Sequence, residues 1–184
     1  DVFDYSVREV AVALAMSEPN VKTTHHRARK AMAEYEGARG RPSAELSRRT
    51  RQALEAFLGG LMRQDVAAVE QLLQQGVRAL NDGAGEFLAA RVPVYGAQKV
   101  ALMYVKLSRG GAPVVTAEIR DINGLPALVM GYEPSTRADL APRFVLRCDI
   151  DAEGRIVDVH TVLATHKLTH VRFDAQVVSV ADRR

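Results

Sequence analysis

The sequence of 184 residues contains one cysteine, Cys148. A single thiol excludes an internal disulfide framework and any multi-cysteine metal centre, and it suits a reducing compartment. Cys148 lies in a strand-like apolar run, where it reads as a small buried side chain rather than a reactive thiol. No apolar run approaches the roughly 20 residues that span a bilayer, and no charged-then-apolar signal segment opens the chain. We therefore expect no membrane contact and a cytoplasmic location. Catalytic signatures are missing too: there is no nucleophile elbow with Ser-His-Asp order, no phosphate loop, and no clustered carboxylates beyond turn positions. Nor is there an internal repeat or a low-complexity tract. Neither enzymatic activity nor a cofactor is expected.

Hydrophobic residues make up 47% of the chain, enough for a core. The net charge of +3 is mild, so any nucleic-acid argument rests on where the charge sits. One stretch concentrates it. "SEPNVKTTHHRARKAM", Ser17 to Met32, has no acid after Glu18. Just upstream, "SVREVAVAL" offers a capping box between Ser6 and Glu9, with Val10, Ala11 and Leu14 at helical spacing. Ser17 can cap a second helix with Glu18 and Pro19 in its first turn. Two helices joined by about three residues have helix-turn-helix proportions.

On the second helix, at about 100° per residue, Val21, Ala28 and Met32 form an apolar stripe that includes His25. Asn20, Lys22, Thr23, His26, Arg27, Arg29 and Lys30 occupy the other side. A helix enters the DNA major groove with its first turns at the base edges, which are the positions of Asn20, Thr23 and Arg27. Lys22, His26, Arg29 and Lys30 are placed to neutralise phosphates. A solvated basic face on any globular protein has the same charge pattern; the capped helix and short turn before it favour DNA.

"EGARGRPS" reads as a linker, dividing the chain into 1–36, a linker at 37–43, a domain at 44–174 and a tail at 175–184. Beyond it come a helix from Ser43, interrupted or not at Gly59-Gly60, and a helix capped by Asp65. Two short extended pieces then flank an Asp82-Gly83 turn, and a further helix occupies "GAQKVALMYVKLSRG". Hairpins are expected at Asn123-Gly124 and at Asp151 to Gly154. Helices followed by a curved antiparallel sheet make an α+β class. Within it Asp82, Tyr104, Arg120 and Tyr132 are the polar candidates for a pocket, although Asp82 also suits a turn that bonds its own backbone. His160, His166 and His170 have no acid or cysteine neighbours at ligand spacing and are read as non-metal; the adjacent His25 and His26 point too far apart to share an ion.

Two resemblances follow from these residues. Tyr5, Ser6, Glu9, Val10, Ala11, Ser17, Val21, Lys22, Arg27, Ala28 and Arg29 resemble the pattern of region 4 of extracytoplasmic-function sigma factors, which usually has an aliphatic residue where His25 stands. From about Ser43 to Phe173 the chain resembles the SnoaL-like, ketosteroid-isomerase-like cone fused behind region 4 in the SigJ-type group. That group carries an Asp-Gly-Gly-Gly turn and a late Asn-Pro-Asp-Lys-Leu. The counterparts here are Asp82-Gly83-Ala84-Gly85 and Ala164-Thr165-His166-Lys167-Leu168, which puts Gly83, Gly85, Lys167 and Leu168 among the regulatory candidates. The resemblance implies promoter DNA at the −35 element and core RNA polymerase as partners. It also implies a cone that regulates by packing or by sensing a small molecule in its pocket; the alternative is a small-molecule-binding or isomerase-type enzyme domain tethered to a DNA-binding module. The region 2 of that family has no counterpart here, and we expect the sequence to begin inside a longer protein.

Overall fold

A computed structural model describes residues 5–38, 42–110, 113–135 and 137–173, with the backbone alone at 34–38. The expected tail at 175–184 and the linker positions 39–41 lie outside the described residues. The chain divides into two compact units, Asp1–Arg41 and Pro42–Arg184.

In the first unit α1 (Val7–Ala13) begins with the expected capping box: the Ser6 hydroxyl accepts from Glu9 N–H, and the Glu9 carboxylate accepts from Ser6 N–H at 2.7 Å. It ends where Ala15 turns left-handed at φ 51°, so that Met16 N–H reaches back to Ala11 O at 2.9 Å. Helix α2 (Glu18–Ala38) follows and runs past the expected start of the linker. Ala11 and Val21 are the buried side chains described in this unit. The expected three-residue anchor is thereby corrected, since Ala28 is exposed and Met32 is 46% exposed. The reason is length. Seven residues of α1 make a rod of about 10 Å, which covers the first turns of a helix about three times longer.

The second unit opens with α3 (Ala44–Met62), capped by Ser43, and α4 (Val66–Leu72), capped by Asp65. Helix α3 is continuous through Gly59-Gly60. Gly60 is there for packing: a β-carbon on it would lie 2.6 Å from Val69 Cγ2, so only glycine lets α4 approach this closely. Then come β1 (Leu73–Asp82), β2 (Val94–Tyr95), α5 (Ala97–Ser108), β3 (Val114–Ile122), β4 (Leu125–Tyr132), β5 (Arg143–Ile150) and β6 (Ile156–Val162), with a 3-10 turn at Thr165–Lys167. The two hairpins form as expected, with Asn123 and Gly124 both at positive φ and Asp151 Oδ1 accepting from the amides of Glu153 and Arg155.

One six-stranded sheet has the order β2-β1-β6-β5-β4-β3. The α+β class stands, but the sheet is mixed, because β1 pairs with β6 in parallel. The extended piece expected directly after Asp82-Gly83 does not form: residues 83–93 are a loop, and the short β2 beyond it pairs antiparallel with β1, Arg78 opposite Tyr95 and Ala79 opposite Val94. The other edge of β1 takes β6 in parallel, about eighty positions later.

Strand residues alternate between two faces. On one face Ala79, Leu128, Leu146, Cys148 and Val159 meet Leu54 and Phe57 of α3, Val69 of α4, and Val100, Tyr104 and Val105 of α5. On the other, Ala127, Val129, Val145 and Val162 are covered by Leu168, Val171 and Phe173. Among the described residues no helix is long and apolar enough to cross a membrane.

Candidate nucleic-acid interface and a carboxy-terminal clasp

Asn20, Lys22, Thr23, His26, Arg27, Arg29 and Lys30 are all exposed on α2. Among the described residues Lys22, Arg27, Arg29 and Lys30 enter no ion pair, so their charge is available to an external anion. Thr23 donates its hydroxyl to Pro19 O at 2.9 Å. That leaves Thr23 an acceptor and a methyl group, the two features a threonine uses at a base edge. His25 is exposed as well.

The other candidates fall into separate places rather than one pocket. Tyr104 is buried between helix and sheet, edge-on to Phe57, with its hydroxyl 2.9 Å from Thr161 Oγ1. Burial pushes the phenol up to about 12, against the opposing effect of Thr161, so it stays protonated. Tyr132, raised by burial, packs against Phe144. Arg120 lies on the opposite face of the sheet, paired with Glu118 at 3.2 Å and donating to the carbonyl of Arg172. Among the described residues the buried polar side chains are Thr50, Thr116 and Thr161, and none of them is an acid.

Asp82, Gly83, Gly85, Lys167 and Leu168 do meet. Lys167 Nζ lies 2.5 Å from Asp82 Oδ2, while the amides of Leu163 and Ala164 donate to Asp82 O at 2.8 and 3.1 Å. Asp82 Oδ1 also accepts from Ala84 N–H, the local bond expected of a turn. Gly83 is required because a β-carbon would stand 2.8 Å from Phe87 O; Gly85 is required by its φ of 77°. Leu168 is 3% exposed and anchors the segment on Ala127, Val129 and Val145.

Glu86 and Thr165 complete this clasp and were not singled out from the sequence. Glu86 accepts from Thr165 N–H at 3.1 Å and stands 2.8 Å from His166 Nδ1. The His166 contact, then the Thr165 bonds, hold the Glu86 carboxyl below its usual value. An acid four residues after Asp82 and a histidine beside Lys167 were the available signals, but nothing local ties positions about eighty apart.

His160 needs a correction. Asp158, two residues before it in the sequence, shares its face on β6, and β5 supplies Asp149 through the strand register.

The exposed basic helix behind a capped one is followed in the chain by an α+β unit, so a helical unit with a cationic face and a second folded unit stand in one sequence. Residues 1–32 match the family model "Sigma-70, region 4". The chain is similar in fold to the extracytoplasmic function sigma factor SigJ of Mycobacterium tuberculosis, with a TM-score of 0.61 at 19% identity over 94% of this chain. It spans 57% of that protein's length. A steroid delta-isomerase from Pseudomonas aeruginosa aligns with 65% of this chain and 82% of its own, at 18% identity and a TM-score of 0.47. An NTF2-like protein of unknown function from Mesorhizobium loti aligns with 67% and 96%, at 15% identity and 0.45. None of the curated proteins matches the chain.

Proposed function

We propose that this chain is the carboxy-terminal part of an alternative sigma factor, in which α2 reads the promoter −35 element and the cone regulates the output. One observation carries the reading: a cationic ridge from Asn20 to Lys30, free of acids and facing solvent, on a capped helix-turn-helix that matches region 4. Promoter DNA and core RNA polymerase are the partners. The regulatory role of the cone, rather than a catalytic one, is supported by an interior filled with Phe57, Tyr104, Val100 and Val105 and by the absence of a buried acid among the described residues. A small-molecule sensor would have to displace such side chains.

The test is binding of the chain to duplex DNA across a salt series, followed by fluorescence anisotropy. Each phosphate contact contributes about −0.9 to the slope of log K against log salt. Replacing Lys22 and Lys30 by Ala should flatten that slope by roughly two. Replacing Arg27 by Ala should instead reduce discrimination between sequences, by about 1–3 kcal/mol if it pairs bidentately with a base. In the intact factor, Arg27→Ala with Lys30→Ala should abolish promoter-dependent transcription. An unchanged slope and normal transcription would refute the assignment.

A further inference from the structure

On the sheet face away from α3–α5, beyond the patch covered by Leu168, three metal-binding side chains converge. Strand periodicity puts Asp158 and His160 on one face of β6, and the register sets Asp149 of β5 directly opposite Asp158. Like charges facing each other across a strand pair oppose pairing unless something compensates them. Two arginines do so unequally. Arg78 on β1 grips Asp158 through Nε and Nη2 at 2.7 and 3.2 Å, whereas half-exposed Arg147 stands 3.5 Å from Asp149. His160 lies between them, its Nε2 3.7 Å from Asp149 Oδ2, too far for a hydrogen bond. One ligand atom from each of Asp149, Asp158 and His160 lies within 4.8 Å of the others.

We infer that Asp149, Asp158 and His160 form a binding site for a divalent transition-metal ion of the zinc class. One imidazole and two carboxylates suit such an ion, while calcium and magnesium prefer all-oxygen sets. Bonds of about 2.0–2.2 Å set tetrahedral ligands roughly 3.4 Å apart, so closing the site moves side chains by little more than 1 Å. Arg78 holds both Asp158 oxygens, Oδ1 through Nε and Oδ2 through Nη2, so Asp158 offers the ion a remaining lone pair on one of them. Arg147, on the solvent side, swings away as the ion takes over Asp149. Burial, and then Arg147, hold the His160 ring below its ordinary value. The remaining coordination positions face solvent and take water.

The untagged, reduced chain is titrated with zinc chloride against a chromogenic chelator, and the histidine ring signals are followed by NMR. The site predicts one saturable equivalent, a zinc-induced shift of the His160 ring, and at least tenfold weaker binding in Asp149→Asn and His160→Gln. A variant with His25→Gln and His26→Gln should bind like the parent, which separates this site from the paired histidines of α2. No saturable binding, or affinity untouched by Asp149→Asn and His160→Gln, would reduce the cluster to an ion-pair network and overturn the inference. Should a variant fail to fold by circular dichroism, the ring shift in the parent chain decides: an unmoved His160 signal at saturating zinc refutes the site.

Discussion

Gly59 and Gly60 are neighbours in α3, yet alanine should act on them in opposite directions. In an exposed helix interior alanine is favoured over glycine by about 0.8–1 kcal/mol. At Gly59 the added methyl meets the far end of Arg63 at 3.2 Å, a side chain able to move aside. The propensity gain therefore survives, and Gly59→Ala should stabilise the second unit by about 0.5–1 kcal/mol. At Gly60 the methyl would stand 2.6 Å from Cγ2 of Val69, which is fully buried beneath α3. Overpacking of this kind costs about 1–3 kcal/mol, which outweighs the propensity gain and leaves a net loss of up to about 2 kcal/mol. Urea unfolding followed by near-ultraviolet circular dichroism, with the slope held common, would measure both midpoints. Midpoints that move in the same direction would refute the claim that helix α4 sits on Gly60.

The clasp offers a second contrast. Leu168→Ala should cost about 2–5 kcal/mol because the side chain is 3% exposed in an apolar cluster, whereas Lys167→Ala removes an exposed ion pair worth about 0–1 kcal/mol. Equal losses in thermal unfolding would mean that the ion pair, not the leucine, holds the segment down. Cys148, pushed up to about 12 by burial and then by Asp149, has a thiolate fraction on the order of 10⁻⁴ at pH 8. A thiol reagent should label it only as fast as the second unit unfolds; rapid labelling of the native chain would contradict its burial.

The elements set by local chemistry were legible in the sequence. Ser6 with Glu9, Asp65, Asn123-Gly124 and Asp151 each act on backbone groups within a few residues, so their signals lie side by side in the chain. What was not legible depends on distant partners. The residues just after Asp82-Gly83 looked extended because nothing nearby reveals that they form a loop and that β1 will take β6 as a parallel neighbour. Ala28 and Met32 looked like core because periodicity shows which residues share a face and not whether anything covers it. On the candidate interface, all seven ridge residues proved exposed. In the clasp, Glu86 was hidden because its partners arrive some eighty residues later; Asp149 reaches His160 only through register, which composition does not encode, whereas Asp158 two residues before His160 was there to be read from strand periodicity.

The parallel pairing of β1 with β6 also governs when the second unit can exist at all. Its sheet cannot close until residues near 162 have been made, so a ribosome that has exposed only β1 and β2 holds a strand pair with one edge of β1 still open. Such non-local closure slows folding. It also makes the second unit nearly all-or-none, with Lys167 and Leu168 able to dock only once the final strand is seated.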